Sequence, residues 1–374
     1  MSVRALNYSF EKKLPLPDIR GQAILSAIIG EHLLTGEPVG SKILAERFSH
    51  TLGISSATIR SVMGELEEAG FLEQPHTSAG RIPTDKGYRF YVDNLLGILS
   101  LSSEDLRLIE NEFGVSDIEL TEKSDRLMPR ISQLLSALSN NVGIVISPSL
   151  AQDALQHIKF VNLADKRILV VMVSAPHIVH HKIIRSEENF SQGELDRTAQ
   201  YLNIEFGGKS LAAIRAEILR LMHEEKSLFD KMLQTAMILC SQSIESESAN
   251  TGEIYVGGAS NILTKPDFTS FEKLRELLQT IEEKSKLVQI LNECLARDIA
   301  PNGNVQVLIG SENSTSSLQN CTLITAPYHH GNGAAIGTLS VLGPTRIEYA
   351  RTIAIVGYIA KMLEKMMSSE RSNV

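Results

Sequence analysis

The chain has 374 residues, of which 43% are hydrophobic and 21% charged, and its formal net charge is −8. This length exceeds what one ordinary hydrophobic core serves, so we expect a globular protein of two or three domains. The acidic balance argues against a protein that coats nucleic acid by charge alone.

The longest wholly apolar stretch, Ile168 to Val173, is far shorter than the roughly 20 residues that a membrane span needs. The N-terminal sequence also lacks the apolar segment of a secretory signal, so we expect a cytoplasmic protein with no membrane association. Cys240, Cys294 and Cys321 lie far apart without a CxxC pair. This spacing excludes a disulfide framework and a zinc finger, and we expect the three thiols to be buried.

Residues 1–17 have no usable periodicity and indicate an N-terminal arm. Apolar spacing, cap residues and Gly/Pro breaks then predict a series of short elements. In chain order these are a helix at Ile19–Thr35, a helix at Ser41–Phe48, a helix from Ser55 or Ser56 to Ala69, an extended piece at Phe71–Gln74, a polar loop, an extended pair at Ile82-Pro83, and a helix from Asp85 to about Leu99. Three helices followed by strand, loop and strand are the order of a winged helix-turn-helix, which we place at residues 18–100.

The third of these helices carries the most information about function. With Ile59 at the centre of its buried face, Val62, Met63 and Leu66 lie within about 60° of it at helical spacing. The outward face then presents Ala57, Arg60, Ser61, Gly64 and Glu68. Small residues allow a helix to approach the major groove closely, and an arginine can bond guanine through two hydrogen bonds. From this helix alone, an ordinary amphipathic helix remains an equal alternative.

The charge of this region argues against DNA binding. Between Asp18 and Ser100 the sequence has seven Lys/Arg and ten Asp/Glu residues. However, the third helix, the loop and the following helix carry four cations: Arg60, Arg81, Lys86 and Arg89. The electrostatic potential of the face that meets DNA matters more for binding than the net charge of the whole region.

Beyond residue 101 the pattern becomes that of an α+β protein. Ser102–Asp105 is typical of a capping box that opens a helix, and Ser191 with Glu194 is another. The remaining predicted helices are about Glu122–Leu138, one that follows Ser191, Ser210–His223, Leu228–Ile244, Ser270–Thr280, Glu282–Leu295 and Ile347–Met367. The predicted strands are Val142–Ile146, His157–Val161, Ile168–Val173, Ile178–Ile184, Ile254–Gly257, Val305–Gly310, Cys321–Tyr328 and Ala335–Leu342, and a linker or exposed turn is expected at Ser241 to Gly252.

Three segments carry a resemblance to a known family. GEPVGSKILAE at 36–46 and ISSATIRSVMGELEEAGFLEQPHTSAGRIPTDKGYRFYVD at 54–93 resemble the heat-inducible transcription repressor HrcA. GTLSVLGPTRIEYAR at 337–351 resembles the C-terminal signature of that family. The match is dense around the DNA-binding end and diffuse through the middle, and order and length agree from about Asp18 onward.

The resemblance implies three parts: the winged helix at 18–100, a GAF-like α/β domain at 101–154 and 246–374, and an inserted α+β dimerisation domain at 155–245. It implies a repressor of chaperone operons that binds an inverted-repeat operator, called CIRCE, and that the GroE chaperonin modulates. A two-fold operator is best recognised by a two-fold protein, so we expect a homodimer.

We expect the third helix to contact bases, with Arg60 as the main specificity contact. The loop Pro75–Thr84 would be a wing that contacts phosphate or the minor groove, and the start of the second helix could bind a phosphate. The candidate DNA-binding residues are Ser41, Lys42, Ser55, Ser56, Ala57, Thr58, Arg60, Ser61, Thr77, Ser78 and Arg81. For Tyr88, Phe90 and Tyr91 we favour core packing over base stacking, because a duplex offers few unstacked bases.

Other patterns favour no further chemistry. His177, His180 and His181 lie in a strand-like stretch that places 177 and 181 on one face and 180 on the other, so we expect no metal site. The segments GSEN at 310–313 and GNGAAIG at 331–337 match no phosphate loop, and no catalytic constellation can be assembled, so we expect neither a cofactor nor an enzyme. The main alternative is a repressor that senses a small ligand through its GAF-like domain; a protein-interaction module is a further one.

Overall fold

A computed structural model describes the chain at residues 16–47, 54–77, 79–97, 100–114, 124–147, 155–163, 165–174, 178–186, 188–210, 213–214, 217, 253–268, 270–295, 305–329 and 335–369. The protein is of mixed α/β type and divides into two compact units. The N-terminal unit consists of Met1–Ile98 with Thr345–Glu348, and the C-terminal unit of Leu99–Pro344 with Tyr349–Val374.

The N-terminal unit has short helices around one small antiparallel ladder. Asp18 caps the first helix by accepting a hydrogen bond from the Gly21 N–H at 2.7 Å, and Ser55 caps the third helix. These caps begin the helices at the predicted positions, because each side chain satisfies a backbone N–H that has no partner within its helix. The elements are α1 (Ile19–Thr35), α2 (Ser41–Arg47), α3 (Ser56–Glu68), β1 (Leu72–Glu73), β2 (Ile82–Pro83) and α4 (Asp85–Phe90).

The prediction of one helix from Asp85 to about Leu99 was wrong about where the helix ends. After α4 the backbone widens into a π-helix at Tyr91–Leu95, in which the Leu96 N–H donates to the carbonyl of Tyr91 at 3.0 Å. Leu96 itself is extended. No glycine or proline lies within Tyr91–Leu95, so no local breaker residue marks this wider turn.

The C-terminal unit contains a five-stranded antiparallel sheet with the strand order β7-β3-β10-β9-β8. Its strands are β3 (Val142–Ile146), β7 (Ile254–Gly257), β8 (Gln306–Ile309), β9 (Cys321–His329) and β10 (Ala335–Pro344). Outside the chain segment between β3 and β7, the described helices are α5 (Ser103–Gly114), α6 (Ser124–Ser139), α8 (Phe271–Glu282), α9 (Lys284–Leu295) and α10 (Tyr349–Ser369).

Helices cover both faces of this sheet. The side chains of Val142, Ile144 and Ile146 lie in one apolar core with α8 and α9. The alternate strand positions face α6, as shown by Gly143, whose missing Cβ would lie 2.2 Å from the Ser132 carbonyl oxygen. The helices α6 and α10 contact the sheet on that side.

Between β3 and β7 in the chain lies a second sheet. It has the order β4-β5-β6, with β4 (Leu155–Leu163), β5 (Arg167–Ser174) and β6 (Ile178–Arg185). The helix α7 (Gln192–Phe206) follows, opened by the predicted capping box of Ser191 and Glu194. Leu195, Leu202 and Phe206 of α7 share a core with one face of this sheet.

Several predictions lie wholly or largely outside the described residues: the arm at 1–17, Cys240, His177, the linker at 241–252, and the helices at Ser210–His223 and Leu228–Ile244. Cys294 and Cys321 are buried as expected, and burial raises the pKa of Cys321 to about 12. Among the described helices, none combines the length and apolar character that crossing a membrane requires.

Candidate nucleic-acid interface

The helix α3 has the two faces that its sequence predicts. Ile59, Val62, Met63 and Leu66 are buried. At its N-terminus the Ser55 Oγ accepts a hydrogen bond from the Thr58 N–H at 3.2 Å and lies 3.0 Å from the Thr58 Oγ1. The start of the helix is thereby fixed by its own side chains.

The outward face of α3 is small and polar near its N-terminus. Ala57, Arg60 and Ser61 are exposed, and Ser56 and Thr58 are half-buried. No hydrogen bond or ion pair of the Arg60 side chain occurs among the described residues. The guanidinium is therefore available to a ligand that approaches this face.

Ser41 and Lys42 occupy different environments at the start of α2. Ser41 is buried, and its Oγ lies 3.1 Å from the Oγ of Ser56, so this hydroxyl pair joins α2 to the first turn of α3. Lys42 is exposed. Of these two predicted contacts, only the lysine has its side chain on the surface.

The loop between β1 and β2 is braced from within. The side-chain amide of Gln74 donates to the carbonyls of Thr77 at 3.0 Å and Ala79 at 2.9 Å. Thr77 is exposed, while Ser78 lies outside the described residues. Gln74 was not among the predicted site residues, and the signal for such a brace is a glutamine just before a Pro/Ser/Gly-rich loop.

Arg81 is engaged with another residue of this unit. Its Nε and Nη2 each lie 2.8 Å from the Glu67 Oε2, and only 21% of its side-chain surface is exposed. Glu67, in the last turn of α3, was not among the predicted site residues. No local sequence pattern predicts this ion pair, because the two residues are 14 positions apart.

Three other cations of the unit are also engaged. Arg47 pairs with Glu31, and Arg89 pairs with Asp93 at 3.1 Å. Lys86 donates to the Ala69 carbonyl at 2.6 Å and lies over the Phe71 ring, 4.4 Å from its centroid. In the described part of residues 18–98, the cations with no such partner are Arg20, Lys42 and Arg60.

The aromatic side chains of α4 belong to the core, as expected. Tyr88 and Phe90 are buried, and the Tyr88 hydroxyl lies 2.7 Å from the Nδ1 of His32. Phe90 meets Phe71 edge to face at 5.3 Å between ring centroids. Tyr91 is half-buried, and this burial raises its pKa.

Comparison with known proteins identifies the family of this chain. The family model of the HrcA C-terminal domain matches residues 125–353. A protein of Geobacter sulfurreducens named heat-inducible transcription repressor HrcA is 38% identical over 94% of this chain and 98% of its own length. A protein of the same name from Syntrophobacter fumaroxidans is 34% identical over 93% and 97%, respectively. This chain belongs to the HrcA family.

A solved structure supports the fold of this HrcA family member. A crystal structure of a hypothetical protein at 2.2 Å resolution aligns with a TM-score of 0.60 over 95% of this chain and 100% of the other, at 21% identity. At this identity the likeness concerns the fold alone. Within the described part of the HrcA chain, no group of three or more His, Cys, Asp or Glu residues could hold a metal ion.

Proposed function

We propose that this chain is a transcription repressor of chaperone operons, which binds the CIRCE inverted repeat as a homodimer and is modulated by the GroE chaperonin. The relatives named above are heat-inducible transcription repressors, and the proposal extends their name to this chain. The observation that carries it is the exposed N-terminal face of α3, where Arg60 lies among small and polar residues.

In this proposal the N-terminal unit is a winged helix, with α3 as its recognition helix and residues 75–84 as its wing. The N-terminal half of α3 would enter the major groove, and Arg60 would read guanine. Lys42, together with the backbone N–H groups near Ser41, would contact phosphate, and so would Thr77 and Ser78 on the wing. Ser55, Ser56, Ala57, Thr58 and Ser61 would shape the surface that meets the bases.

The sheet β4-β5-β6 supports the proposal of a dimer. One of its faces packs on α7, and the other carries a row formed by Val161, Leu169 and Ile183, which are cross-strand neighbours. In the single chain Val161 and Leu169 are half-buried, and Ile183 is 55% exposed. A second copy would remove these side chains from water, which favours association. In this scheme the sheet is the core of an inserted dimerisation domain, and the five-stranded sheet is that of a GAF-like domain.

Sedimentation equilibrium of the full chain tests the dimer. The variant Ile183→Arg places a charge in the apolar row and should convert the dimer to a monomer. The matched variant Ile204→Arg changes another exposed isoleucine, on α7, and should leave the dimer intact. A dimer that withstands Ile183→Arg would exclude this face as the interface.

Fluorescence anisotropy tests operator binding. The protein is titrated onto a labelled duplex with the CIRCE repeat and onto a scrambled duplex of equal length, across salt and with or without chaperonin. Selective, salt-dependent binding that strengthens with chaperonin is the expected result. Equal, weak binding to both duplexes under every condition would refute the operator proposal.

A cavity in the C-terminal unit favours the alternative of a ligand-sensing repressor. It has a volume of about 490 Å³, and most of its lining is apolar. This volume lies within the range of small-molecule sites. The lining includes Leu101, Leu106, Pro327, Ile353, Tyr358 and Glu364. A reproducible rise in melting temperature with one metabolite, together with a change in operator affinity, would support this alternative.

A further inference from the structure

The wing has very little β-structure to hold it in place. The strands β1 and β2 contribute only the pairs Leu72–Pro83 and Glu73–Ile82. A two-stranded ladder is marginal in water even when it is longer than this. The direction of the wing must therefore be set by contacts outside the ladder.

Backbone contacts at Arg81 supply one of these. The Arg81 N–H donates to the Val39 carbonyl, and the Val39 N–H donates to the Arg81 carbonyl, both at 2.9 Å. The approach is so close that a Cβ on Gly80 would lie 2.4 Å from the carbonyl carbon and oxygen of Val39. The base of the wing is thus paired to the turn that precedes α2.

The side chain of Arg81 supplies a second contact. Through Glu67 it ties the same point of the wing to the last turn of α3, with both nitrogens at 2.8 Å from one carboxylate oxygen. Neither side chain is fully exposed, at 21% and 34%. Arg81 therefore joins the wing to two other parts of the unit at once.

We propose that Glu67 and Arg81 form a lock that sets the wing relative to the recognition helix before DNA arrives, and that Arg81 acts as a positioning residue rather than as a phosphate ligand. This inference rests on the proposed function, and it assigns to an acidic residue a favourable contribution to DNA binding. A wing fixed in advance loses less conformational freedom when it meets the duplex.

The chain offers a matched control for this inference. Glu68, the next residue of α3, is exposed, and no ion pair of its side chain occurs among the described residues. Glu67→Gln and Glu68→Gln each remove one negative charge from the same turn, but only the first weakens the lock, because it leaves Arg81 a neutral acceptor in place of an ion-pair partner. Electrostatics alone predicts that both variants bind DNA as tightly as the wild type or more tightly.

The lock predicts that the two variants differ in operator affinity, with a loss in Glu67→Gln and no loss in Glu68→Gln. Glu67→Gln should weaken operator binding by about two- to fivefold, the size of a partly exposed ion pair, without changing the dependence of log affinity on log salt. Glu68→Gln should leave affinity unchanged or raise it. Arg81→Gln should weaken binding with the same unchanged salt dependence, and the charge-swapped double variant Glu67→Arg, Arg81→Glu should recover part of the loss.

Two results would overturn the inference. The first is a Glu67→Gln variant that binds DNA as tightly as Glu68→Gln does. The second is an Arg81→Gln variant whose salt slope falls by about one, as expected when a phosphate contact is lost.

A measurement without DNA separates this inference from the proposed function. Amide hydrogen exchange at Val39 and Arg81 should accelerate in Glu67→Gln and not in Glu68→Gln, because opening of the lock releases their backbone pair. If the wild type shows no operator selectivity, the proposed function fails while the exchange experiment still decides the lock. Equal exchange in both variants would exclude the lock even if the operator is bound.

Discussion

Gly36 ends α1 in the left-handed conformation, and Gly36→Ala probes two constraints at once. The φ angle of Gly36 is +75°, and its N–H donates to the His32 carbonyl at 2.9 Å. A Cβ there would lie 3.1–3.3 Å from the guanidinium of Arg346, a residue of the same unit. Arg346 also donates to the Leu33 carbonyl at 3.3 Å.

The expected loss of stability is the sum of the free-energy costs of these two constraints. Placing a side chain at positive φ costs about 1 kcal/mol or somewhat more. Displacing Arg346 weakens one hydrogen bond at the C-terminus of α1, where a cation is also favoured by the helix dipole, and this adds about 1 kcal/mol. Gly36→Ala should therefore destabilise the end of α1 by about 2 kcal/mol.

Gly70→Ala is the matched control. Gly70 has a φ of +78°, and the nearest side-chain atoms to its Cβ position, those of Lys86, are 4.0 Å away. It therefore reports the conformational penalty alone, about 1 kcal/mol.

Native-state hydrogen exchange of α1 and α3 amides measures both variants. Exchange should accelerate by about thirtyfold near Gly36 and about fivefold near Gly70. In an Arg346→Ala background the excess at Gly36 should disappear. Equal effects of Gly36→Ala and Gly70→Ala in the wild-type background would refute the role given to Arg346.

Two further predictions concern other residues. Arg60→Ala should reduce operator affinity by about 1–3 kcal/mol and relax selectivity, whereas Lys42→Ala should weaken operator and scrambled duplexes alike and lower the salt slope; anisotropy on both duplexes distinguishes these results, and an unchanged selectivity in Arg60→Ala would disprove the base contact. The Arg351 guanidinium bonds to the Asp105 carboxylate at 2.9 and 3.2 Å and holds the pKa of Asp105 below its usual range, although the burial of this carboxyl acts in the opposite direction. A lowered pKa stabilises the fold above the unfolded value of about 4, and this stabilisation is lost as the pH falls through the lowered pKa. The destabilisation by Asp105→Asn, about 1–2 kcal/mol in urea unfolding at pH 7, should therefore shrink below about pH 4, and a constant difference down to pH 2 would contradict this account.

Local signals in the sequence account for much of the fold. Ser55 and Ser191 indicate where their helices begin, because each accepts a hydrogen bond from a backbone N–H three residues further on. The buried face of α3 follows from its periodicity alone, and with it the outward position of Arg60. The π-helix at Tyr91–Leu95 could not be predicted in this way, because no breaker residue marks it.

In the candidate site, too, some features could be predicted from the sequence and others could not. Exposure of Arg60 and Lys42 is a property of helix faces, which a sequence pattern reports. The engagement of Arg81 with Glu67 depends on where the folded chain places two residues that are 14 positions apart in the sequence. The same is true of Ser41, whose hydroxyl turns inward to Ser56.

The pairing of β3 with β7 has a consequence for how the C-terminal unit can be divided. The Ser147 N–H donates to the Glu253 carbonyl at 2.9 Å, and the Glu253 N–H donates to the Ser147 Oγ at 2.8 Å. Both ends of residues 148–252 therefore leave the five-stranded sheet from one rung of a hairpin. To that sheet the whole stretch is a hairpin loop, and each doubling of loop length costs only about 0.6 kcal/mol of closure entropy. A two-residue turn grafted between Ser147 and Glu253 should leave the strand order intact, which makes this rung a natural excision point for a shortened chain.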